Sequence, residues 1–238
     1  MHKIIFIHGL LGSKNNFTYL EQTFPEYNTT SIDLIGFGNE IKPSIKYDVN
    51  DFIISLEQKL NLGNHSDTPY ILVGHSLGAL LAKELTVKYP DRVIKSFLIS
   101  YPFLEKSEAL RAYSFFDRKY AEGTWWTKML CRSEIFYQWL FYPFIYLFKF
   151  KYRQSYIDAF KHTYQSAHGA IENTIFKDNK EKLHRIAGKI ILINGELDRS
   201  VDFAFSNHFN HYMIPEMGHP FFGYEHQISE IIKSNIQS

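Results

Sequence analysis

Residues 69–78 read Pro-Tyr-Ile-Leu-Val-Gly-His-Ser-Leu-Gly, and an apolar helical pattern follows them. The apolar run predicts a buried strand. Gly74 and Gly78 lack Cβ atoms, so a sharp turn from strand to helix can close around a serine held at positive φ. Such a turn carries the Ser76 hydroxyl beyond the strand's carboxyl end, where the helix N-terminus points unpaired N–H groups. We interpret Ser76 as a nucleophile, with an ordinary tight turn as the alternative.

Strands and helices alternate on both sides of this stretch. Apolar runs predict strands at residues 3–7, 29–34, 70–73, 93–100, 189–194 and 210–214. Helical spacing of apolar side chains predicts helices at residues 15–27, 49–62, 77–89 and 227–236. This alternation is typical of an α/β fold in which helices cover both faces of a parallel sheet. We therefore expect a parallel sheet of about six strands, with residues 29–34 at one edge.

Residues 101–178 differ in composition from the rest of the chain. Twenty of the forty aromatic residues fall within residues 101–160, and the pattern there is helical. We interpret residues 101–178 as a helical cap inserted after the fourth strand, so that residues 1–100 and 179–238 form the α/β core. Most of the rings are expected to pack the cap itself, and a few to line an apolar pocket at the catalytic edge of the sheet.

Residues 135–148 are the most apolar part of this predicted cap. They carry no formal charge but include Gln138 and Pro143. The run is shorter than the roughly 20 apolar residues that a membrane-spanning helix needs. We interpret it as a lid or an interfacial segment, which would let the cap contact a membrane surface.

Length, charge and cysteine usage limit the possible functions. The 238 residues suffice for one sizeable α/β domain, and a net charge of +1 gives no electrostatic reason to expect a nucleic-acid partner. Cys131 is the only cysteine, which excludes an internal disulfide and suits a reducing compartment. The apolar part of the N-terminus is too short for a signal peptide. We therefore expect a cytoplasmic location.

Two later segments supply the partners that a nucleophilic serine needs. A base must reach the serine, and an acid must orient that base. Asp198 follows the predicted strand at residues 189–194, and His219 follows the one at residues 210–214. We therefore assign Ser76 as the nucleophile, Asp198 as the acid and His219 as the base.

Other titratable residues are weighed against these assignments. Asp202 and Glu196 are the alternative acids, and His226, inside the closing helix, is the alternative base. His162 and His168 of the predicted cap are candidates for substrate contact, with packing or a surface position as the simpler interpretation. No histidine or cysteine cluster has metal-ligand spacing, and no glycine-rich loop has the pattern of a nucleotide site. We expect no cofactor and no metal.

Four short motifs frame the chain outside the predicted cap: His8-Gly9, Gly74-His75-Ser76-Leu77-Gly78, Gly195-Glu196-Leu197-Asp198 and Gly218-His219. In these residues the chain resembles the α/β-hydrolase superfamily, in its branch of small capped serine esterases, and the order serine, acid, histidine agrees. The resemblance implies that the backbone N–H groups of Leu10 and Leu77 form an oxyanion hole. It also implies that His8 supports the oxyanion loop and that Asp33 hydrogen-bonds the backbone of that loop.

The resemblance is incomplete at the N-terminus. Such proteins usually begin with an antiparallel hairpin ahead of the His-Gly strand, and this chain has no residues for one. Either the sheet is naturally trimmed or the start of the protein is missing from this sequence. Both readings lead to about six strands rather than eight.

The resemblance implies a serine hydrolase that cleaves a small-molecule carboxylic ester through an acyl-enzyme. The aromatic cap indicates an apolar acyl or alcohol part, and lipid esters such as monoacylglycerol or lysophospholipid are included if residues 135–148 touch a membrane. One alternative uses the same triad to cleave a C–C bond of a dicarbonyl or carboxylate substrate. The predicted cap holds four arginines that could bind such carboxylates: Arg111, Arg118, Arg132 and Arg153. The other alternative is a hydrolase-fold protein that binds a small molecule without turnover.

Overall fold

The computed structural model describes residues 2–62, 69–103 and 151–236, together with residues 118, 122, 125, 128, 129, 140 and 142–147. Six strands form within these residues: β1 (Lys3–Ile7), β2 (Asn28–Ile32), β3 (Tyr70–His75), β4 (Val93–Ile99), β5 (Ile190–Gly195) and β6 (His211–Ile214). They pair in one parallel sheet in the order β2-β1-β3-β4-β5-β6. The sheet confirms the predicted α/β fold and places β2 at an edge.

Helices connect the strands and cover the sheet. They are α1 (Thr18–Glu21), α2 (Val49–Leu60), α3 (Leu77–Lys88), α4 (Arg153–Asp158), α5 (Tyr164–Ala170), α6 (Lys182–Arg185), α7 (Phe203–Ser206) and α8 (Glu225–Ile236). A 3-10 turn (Lys14–Phe17) precedes α1, a π-helical turn (Ile171–Ile175) follows α5, and a second 3-10 turn (Ala187–Lys189) precedes β5. Residues 142–147 are also helical.

The core has two halves because successive strand residues point to opposite faces of a sheet. Ile5 and Leu72 lie in the half that includes the apolar side chains of α2 and α3. Phe6 and Val73 lie in the other half, with side chains of α1 and α8. Strand β3 is buried along its whole length, because helices cover it on both faces. The nucleophile motif at its end is therefore held by a fully enclosed strand of the sheet.

The predicted helix at residues 15–27 is wrong in extent. Only the 3-10 turn and α1 are helical there, and α1 ends at Glu21. Pro25 disfavours a helical conformation for Phe24, and the Thr23 hydroxyl donates to the Leu20 carbonyl at 2.7 Å near the end of the helix. A proline signal therefore outweighs the helical spacing of the apolar residues.

Strand β2 is also shorter than the predicted strand at residues 29–34. It ends at Ile32, and the Leu34 N–H donates to Nε2 of His8 at 2.9 Å instead of joining the strand ladder. The His8 side chain, in the loop after β1, thus accepts a hydrogen bond from a backbone N–H that would otherwise be free to pair with a strand. The other strands and the longer helices differ from their predicted bounds by two residues or fewer at either end, and β3 extends two residues further, to His75.

Part of the predicted cap belongs to the described residues. Helices α4 and α5 lie in it, and Ala170 and Ile171 are buried in the core half that contains α3. The division of the chain into a core and a cap stays a prediction. Cys131 and half of residues 135–148 (135–139, 141 and 148) lie outside the described residues. No helix in the described part of the chain is long and apolar enough to span a membrane.

Candidate active site

Ser76 occupies the sharp turn between β3 and α3. Its φ and ψ are 53° and −117°, a conformation that side chains with a Cβ atom rarely adopt. A Cβ atom on Gly74 would lie 2.3 Å from the Gly78 carbonyl oxygen, and one on Gly78 would lie 2.0 Å from that of Ile7. Only glycine fits at both positions, because the turn, α3 and β1 approach one another this closely. The predicted strained turn around Ser76 is present.

His219 and Asp198 meet Ser76 at the carboxyl edge of the sheet. Ser76 Oγ lies 3.0 Å from His219 Nε2, and His219 Nδ1 lies 3.0 Å from Asp198 Oδ2. Because a carboxylate only accepts hydrogen bonds, Nδ1 carries the imidazole proton, and Nε2 is left to accept from the Ser76 hydroxyl. Asp198 follows β5, and His219 lies in the segment after β6. The structure thus brings together the three side chains that the sequence assigned.

Ser200 joins this arrangement and was missed by the sequence analysis. Its hydroxyl lies 2.6 Å from Asp198 Oδ1 and 2.9 Å from His219 Nδ1. It therefore donates to the carboxylate and accepts from the imidazole. The Ser200 N–H also donates to Asp198 Oδ1 at 2.9 Å. An aspartate that binds the backbone two residues on is a common turn device, so the Asp-Arg-Ser sequence carried a weak local signal.

These contacts control the charge of Asp198. Burial alone would raise the pKa of this carboxyl group, since it disfavours the charged form. Hydrogen bonds from His219 and Ser200, with the attraction of the His219 ring, outweigh burial and hold the pKa well below its usual range. Asp198 is therefore ionised and can stabilise positive charge on His219.

His75 is a second contact that the sequence analysis did not assign. The ring is buried, and its Nε2–H donates to the His219 carbonyl oxygen at 2.8 Å. Burial lowers the pKa of His75 to about 3, so the ring is neutral and keeps this donor. Nδ1 of His75 is buried and has no hydrogen-bond partner among the residues that the structure describes. His75 thus anchors the backbone of His219 from the residue that precedes Ser76.

The two amides predicted to form the oxyanion hole lie close to Ser76. Leu77 follows Ser76 at the start of α3, and Leu10 lines the same cavity as Ser76. Among the described residues, neither backbone N–H donates a hydrogen bond to another group. Both amides are therefore available as donors to an oxygen atom of a bound molecule.

His8 and Asp33 contact the loop that carries Leu10. His8 Nδ1 donates to the Gly9 carbonyl at 2.8 Å, and burial lowers the pKa of this histidine to about 4, which keeps the ring neutral. Asp33 Oδ1 accepts from the Lys14 N–H at 2.6 Å. Both contacts agree with the supporting roles that the sequence predicted.

A cavity of about 450 Å³ opens beside Ser76. Its apolar lining is formed by Leu10, Pro102, Ile175, Leu197, Pro220, Phe221 and Phe222. Asn16 and Arg199 add polar groups. The described lining is therefore suited to a ligand with an apolar part and a small number of polar contacts.

The alternative acids and base have other partners or positions. Asp202 accepts from the Phe205 N–H at 3.0 Å and caps α7, and Glu196 Oε2 accepts from the Glu216 N–H at 3.2 Å. His226 is exposed on α8. None of the three is among the described residues that line the cavity at Ser76.

The candidate cap residues are not brought to Ser76. His162 is buried and its Nδ1 lies 2.8 Å from the Ala159 carbonyl, while His168 stacks on Tyr164 with ring centroids 5.1 Å apart. Arg118 pairs with Glu122, and Arg153 lies over the Tyr146 ring; Arg111 and Arg132 fall outside the described residues. Among the described residues, no group of three or more metal-binding side chains occurs.

The chain was compared with known families and proteins. A family model described as alpha/beta hydrolase fold matches residues 3–228. The probable lysophospholipase BODYGUARD 5 of Arabidopsis thaliana is 26% identical over 229 residues, which cover 83% of this chain and 52% of that protein. The chain thus spans about half the length of this relative.

Two further proteins resemble this chain, one in sequence and one in structure. The (lyso)-N-acylphosphatidylethanolamine lipase of Bos taurus is 31% identical over 102 residues, which cover 40% of this chain and 29% of the lipase. The structure of an esterase from Exiguobacterium antarcticum superposes with a TM-score of 0.71 at 17% identity, covering 100% of this chain and 92% of the esterase. At this identity the structural likeness shows the fold alone.

Proposed function

The chain belongs to the α/β-hydrolase family, and we propose that it is a serine hydrolase that cleaves carboxylic esters through a covalent acyl-enzyme. The observation that carries the proposal is the continuous chain of contacts from Ser76 Oγ to His219 and on to Asp198, each about 3.0 Å long. Nucleophile, base and orienting acid are the three groups that acyl transfer needs.

In the proposed reaction Ser76 Oγ attacks the carbonyl carbon of the ester while its proton passes to His219 Nε2. The carbonyl π pair moves onto oxygen, giving a tetrahedral oxyanion, and the ionised Asp198 stabilises the imidazolium. When the oxyanion re-forms the carbonyl, the C–O bond to the alcohol breaks and the alcohol takes the proton from His219. Water then repeats the sequence on the acyl-enzyme, which releases the acid and restores Ser76.

The N–H groups of Leu10 and Leu77 are the proposed oxyanion donors. Their backbone amides have no other acceptor among the described residues, so they lose no internal hydrogen bond when they bind the oxyanion. One such donor is worth about 2.7–4 kcal/mol of transition-state stabilisation. The strained turn at Ser76 supports this role, because it starts α3 directly beside the nucleophile.

The proposed substrates have an apolar acyl or alcohol part. The apolar lining of the cavity supports this choice, and so do the names of two relatives, a probable lysophospholipase and an N-acylphosphatidylethanolamine lipase. Residues 101–178 are proposed to act as the cap over this cavity. The proposed substrate class is thus an ester or lipid ester.

The test is hydrolysis of p-nitrophenyl esters with acyl chains of increasing length. The native protein is expected to release p-nitrophenol, and Ser76→Ala is expected to lower kcat/KM by at least about 10⁴-fold. Ser234→Ala, at an exposed serine of α8, is the matched control and should match the native rate. Absence of turnover on every ester by the native, folded protein would overturn the proposal. Hydrolysis by Ser76→Ala at the native rate would remove Ser76 from it.

A further inference from the structure

Arg199 lies between two residues of the proposed triad network and has no assigned role. We propose that Arg199 selects esters that carry an anionic group, a carboxylate or a phosphate, next to an apolar chain. The inference rests on the proposed function, since it concerns the substrate that Ser76 attacks. Arg199 lines the same cavity as Ser76 and His219.

The guanidinium of Arg199 is available to a ligand. Arg199 is exposed, and within the described part of the chain it forms no hydrogen bond and no ion pair with a carboxylate. An incoming anion therefore displaces no internal partner. An arginine can present two parallel N–H donors to a carboxylate or a phosphate, which gives both attraction and orientation.

The other polar groups of the cavity also favour an acceptor ligand. Asp198 is the one carboxylate among the described lining residues, and both of its oxygens are engaged by His219 and Ser200. Asn16 Oδ1 accepts from the Ser13 N–H at 3.3 Å, which leaves the Asn16 amide N–H₂ group as a donor. Besides Ser76 and His219, the polar groups of the described lining that are left for a ligand are thus the guanidinium and an amide donor, because the remaining acceptor, Nδ1 of His75, is buried.

The backbone on both sides of Arg199 is held in place. Ser200 N–H donates to Asp198 Oδ1 at 2.9 Å, and Asp198 N–H donates to the Gly195 carbonyl at 3.0 Å. Arg199 therefore extends from an anchored turn at a set position relative to Ser76. Apolar side chains such as Phe221 and Ile175 form the rest of the lining. A ligand with an apolar chain and one anionic group matches both parts.

The first experiment compares two esters with the same leaving group. p-Nitrophenyl hexanoate and mono-p-nitrophenyl adipate have acyl chains of equal length and differ in a terminal carboxylate. The readout is the ratio of kcat/KM for adipate to that for hexanoate. Arg199→Gln is expected to lower this ratio on the order of tenfold, because a hydrogen bond to a charged group is lost. Arg199→Lys keeps the charge and should retain part of the ratio.

A second pair tests phosphate as the anion. Lysophosphatidic acid and the monoacylglycerol with the same acyl chain share the scissile ester and differ in the phosphate, and release of fatty acid is measured. A ratio that falls in this pair alone assigns Arg199 to a phosphate, and one that falls in the adipate pair alone assigns it to a carboxylate. Arg185→Gln is the matched control, because Arg185 is exposed, unpaired within the described residues and outside the cavity lining.

The outcomes separate this inference from the proposed function. Equal ratios in native protein and Arg199→Gln for both pairs, with normal hydrolysis of the neutral esters, would overturn the role of Arg199 and leave the esterase intact. If no ester is hydrolysed, the proposed function fails, and calorimetric binding of adipate monohexyl ester and of hexyl phosphate is measured instead. Loss of that binding in Arg199→Gln supports the anion site, and equal binding in both proteins, or none in either, rejects it.

Discussion

Ser200 adds a fourth side chain to the proposed triad of Ser76, His219 and Asp198. Its hydroxyl proton can be given to one acceptor, and the 2.6 Å distance assigns it to Asp198 Oδ1. The oxygen then accepts from His219 Nδ1 at 2.9 Å, so the imidazole proton is shared between a carboxylate and a hydroxyl. Ser200 is therefore a positioning residue, because it orients His219 without reaching Ser76.

Ser200→Ala should lower kcat about tenfold with little change in KM. It removes one hydrogen bond to a charged carboxylate and one to the imidazole, and each bond is worth on the order of 1 kcal/mol or more. Steady-state kinetics on a p-nitrophenyl ester measures both constants. Ser200→Thr keeps the hydroxyl and should recover most of kcat. A kcat of Ser200→Ala equal to that of the native protein would show that Asp198 alone orients His219.

Three buried histidines should make the fold sensitive to acid. Burial lowers the pKa of His8 and His162 to about 4 and that of His75 to about 3, from an ordinary value of 6.5. Between pH 6.5 and 4 the unfolded chain binds more protons than the folded one, so the free energy of unfolding falls as the pH is lowered. His8 alone contributes on the order of 3 kcal/mol to this loss.

Urea denaturation at several pH values between 7 and 4 measures the effect. The slope of unfolding free energy against pH should be smaller in His8→Asn than in the native protein, whatever the stability of the variant at pH 7. His226→Gln, at an exposed position of α8, should leave the slope unchanged. An equal slope in His8→Asn and native protein would mean that folding does not lower the pKa of His8.

At the scale of secondary structure, a buried lysine joins α3 to the segment before α6. The Lys83 side chain is fully buried and forms ion pairs with Asp178 and, at 3.0 Å, with Glu84. Asp178 also accepts from the hydroxyl of Tyr101, and the Asn179 carbonyl accepts from Lys83 at 3.1 Å. Residues 101 and 178 are the predicted ends of the cap. This network therefore ties both ends to the helix that follows Ser76.

Lys83→Met should destabilise the protein by about 3–5 kcal/mol. The change leaves Asp178 as a buried charge without its cation, which costs more than the pair itself contributes. The double variant Lys83→Met/Asp178→Asn should recover part of the loss, because it removes that charge. Urea denaturation at pH 7 measures both.

Lys182→Met is the matched control for this network. Lys182 pairs with Glu84 at 2.6 Å, but its side chain is 32% exposed. Exposed ion pairs contribute about 1 kcal/mol or less, so this variant should lose little stability. Equal losses in the Lys83 and Lys182 variants would indicate that burial of Lys83 has no energetic consequence.

On the scale of the whole molecule, Asp158 connects residues that are far apart in the chain. It is buried at the end of α4, and its Oδ2 accepts from Ser13 Oγ at 2.8 Å and from Asn15 Nδ2 at 2.6 Å. Ser13 and Asn15 follow the loop that carries Leu10. A segment of the predicted cap thus supports the loop with a proposed oxyanion donor.

Asp158→Asn should lower kcat several-fold and increase amide exchange in residues 10–16. An asparagine has one acceptor oxygen, so its N–H₂ group would face either the Ser13 and Asn15 donors on Oδ2 or the Gln154 and Lys161 donors on Oδ1. The loop also loses a charged acceptor worth about 1.5–3 kcal/mol per hydrogen bond. Steady-state kinetics measures kcat, and hydrogen exchange followed by mass spectrometry measures the amide exchange of residues 10–16. Gln154→Ala is the control, because Gln154 contacts Asp158 Oδ1 from the same helix and leaves the Ser13 contact in place. If kcat and amide exchange were unchanged in Asp158→Asn, the contact from α4 would not support the loop that carries Leu10.

The site residues that could be predicted from the sequence are those marked by neighbouring residues in the chain. Ser76 lies between two glycines, Gly74 and Gly78, whose spacing is typical of a tight turn. Asp198 and His219 each follow a short apolar strand. Parallel strands end at the same edge of a sheet, so their order along the chain is enough to predict that the three side chains meet. The six-stranded sheet was predictable for the same reason. The end of α1 was also marked locally, by Pro25, and the apolar spacing was wrongly preferred to it. The end of β2 was not predictable from local sequence, because it depends on a contact from His8 in another loop.

The supporting contacts depended on the tertiary structure. His75 reaches the His219 carbonyl across 144 positions of the chain, and Asp158 reaches Ser13 across 145. No periodicity or spacing encodes such pairs, since they arise only when packing brings separate loops together. The same holds for the position of Arg199 in the cavity of Ser76. Local sequence therefore determined the proposed reacting groups, and packing between distant segments decided what orients them and which side chains line the cavity beside them.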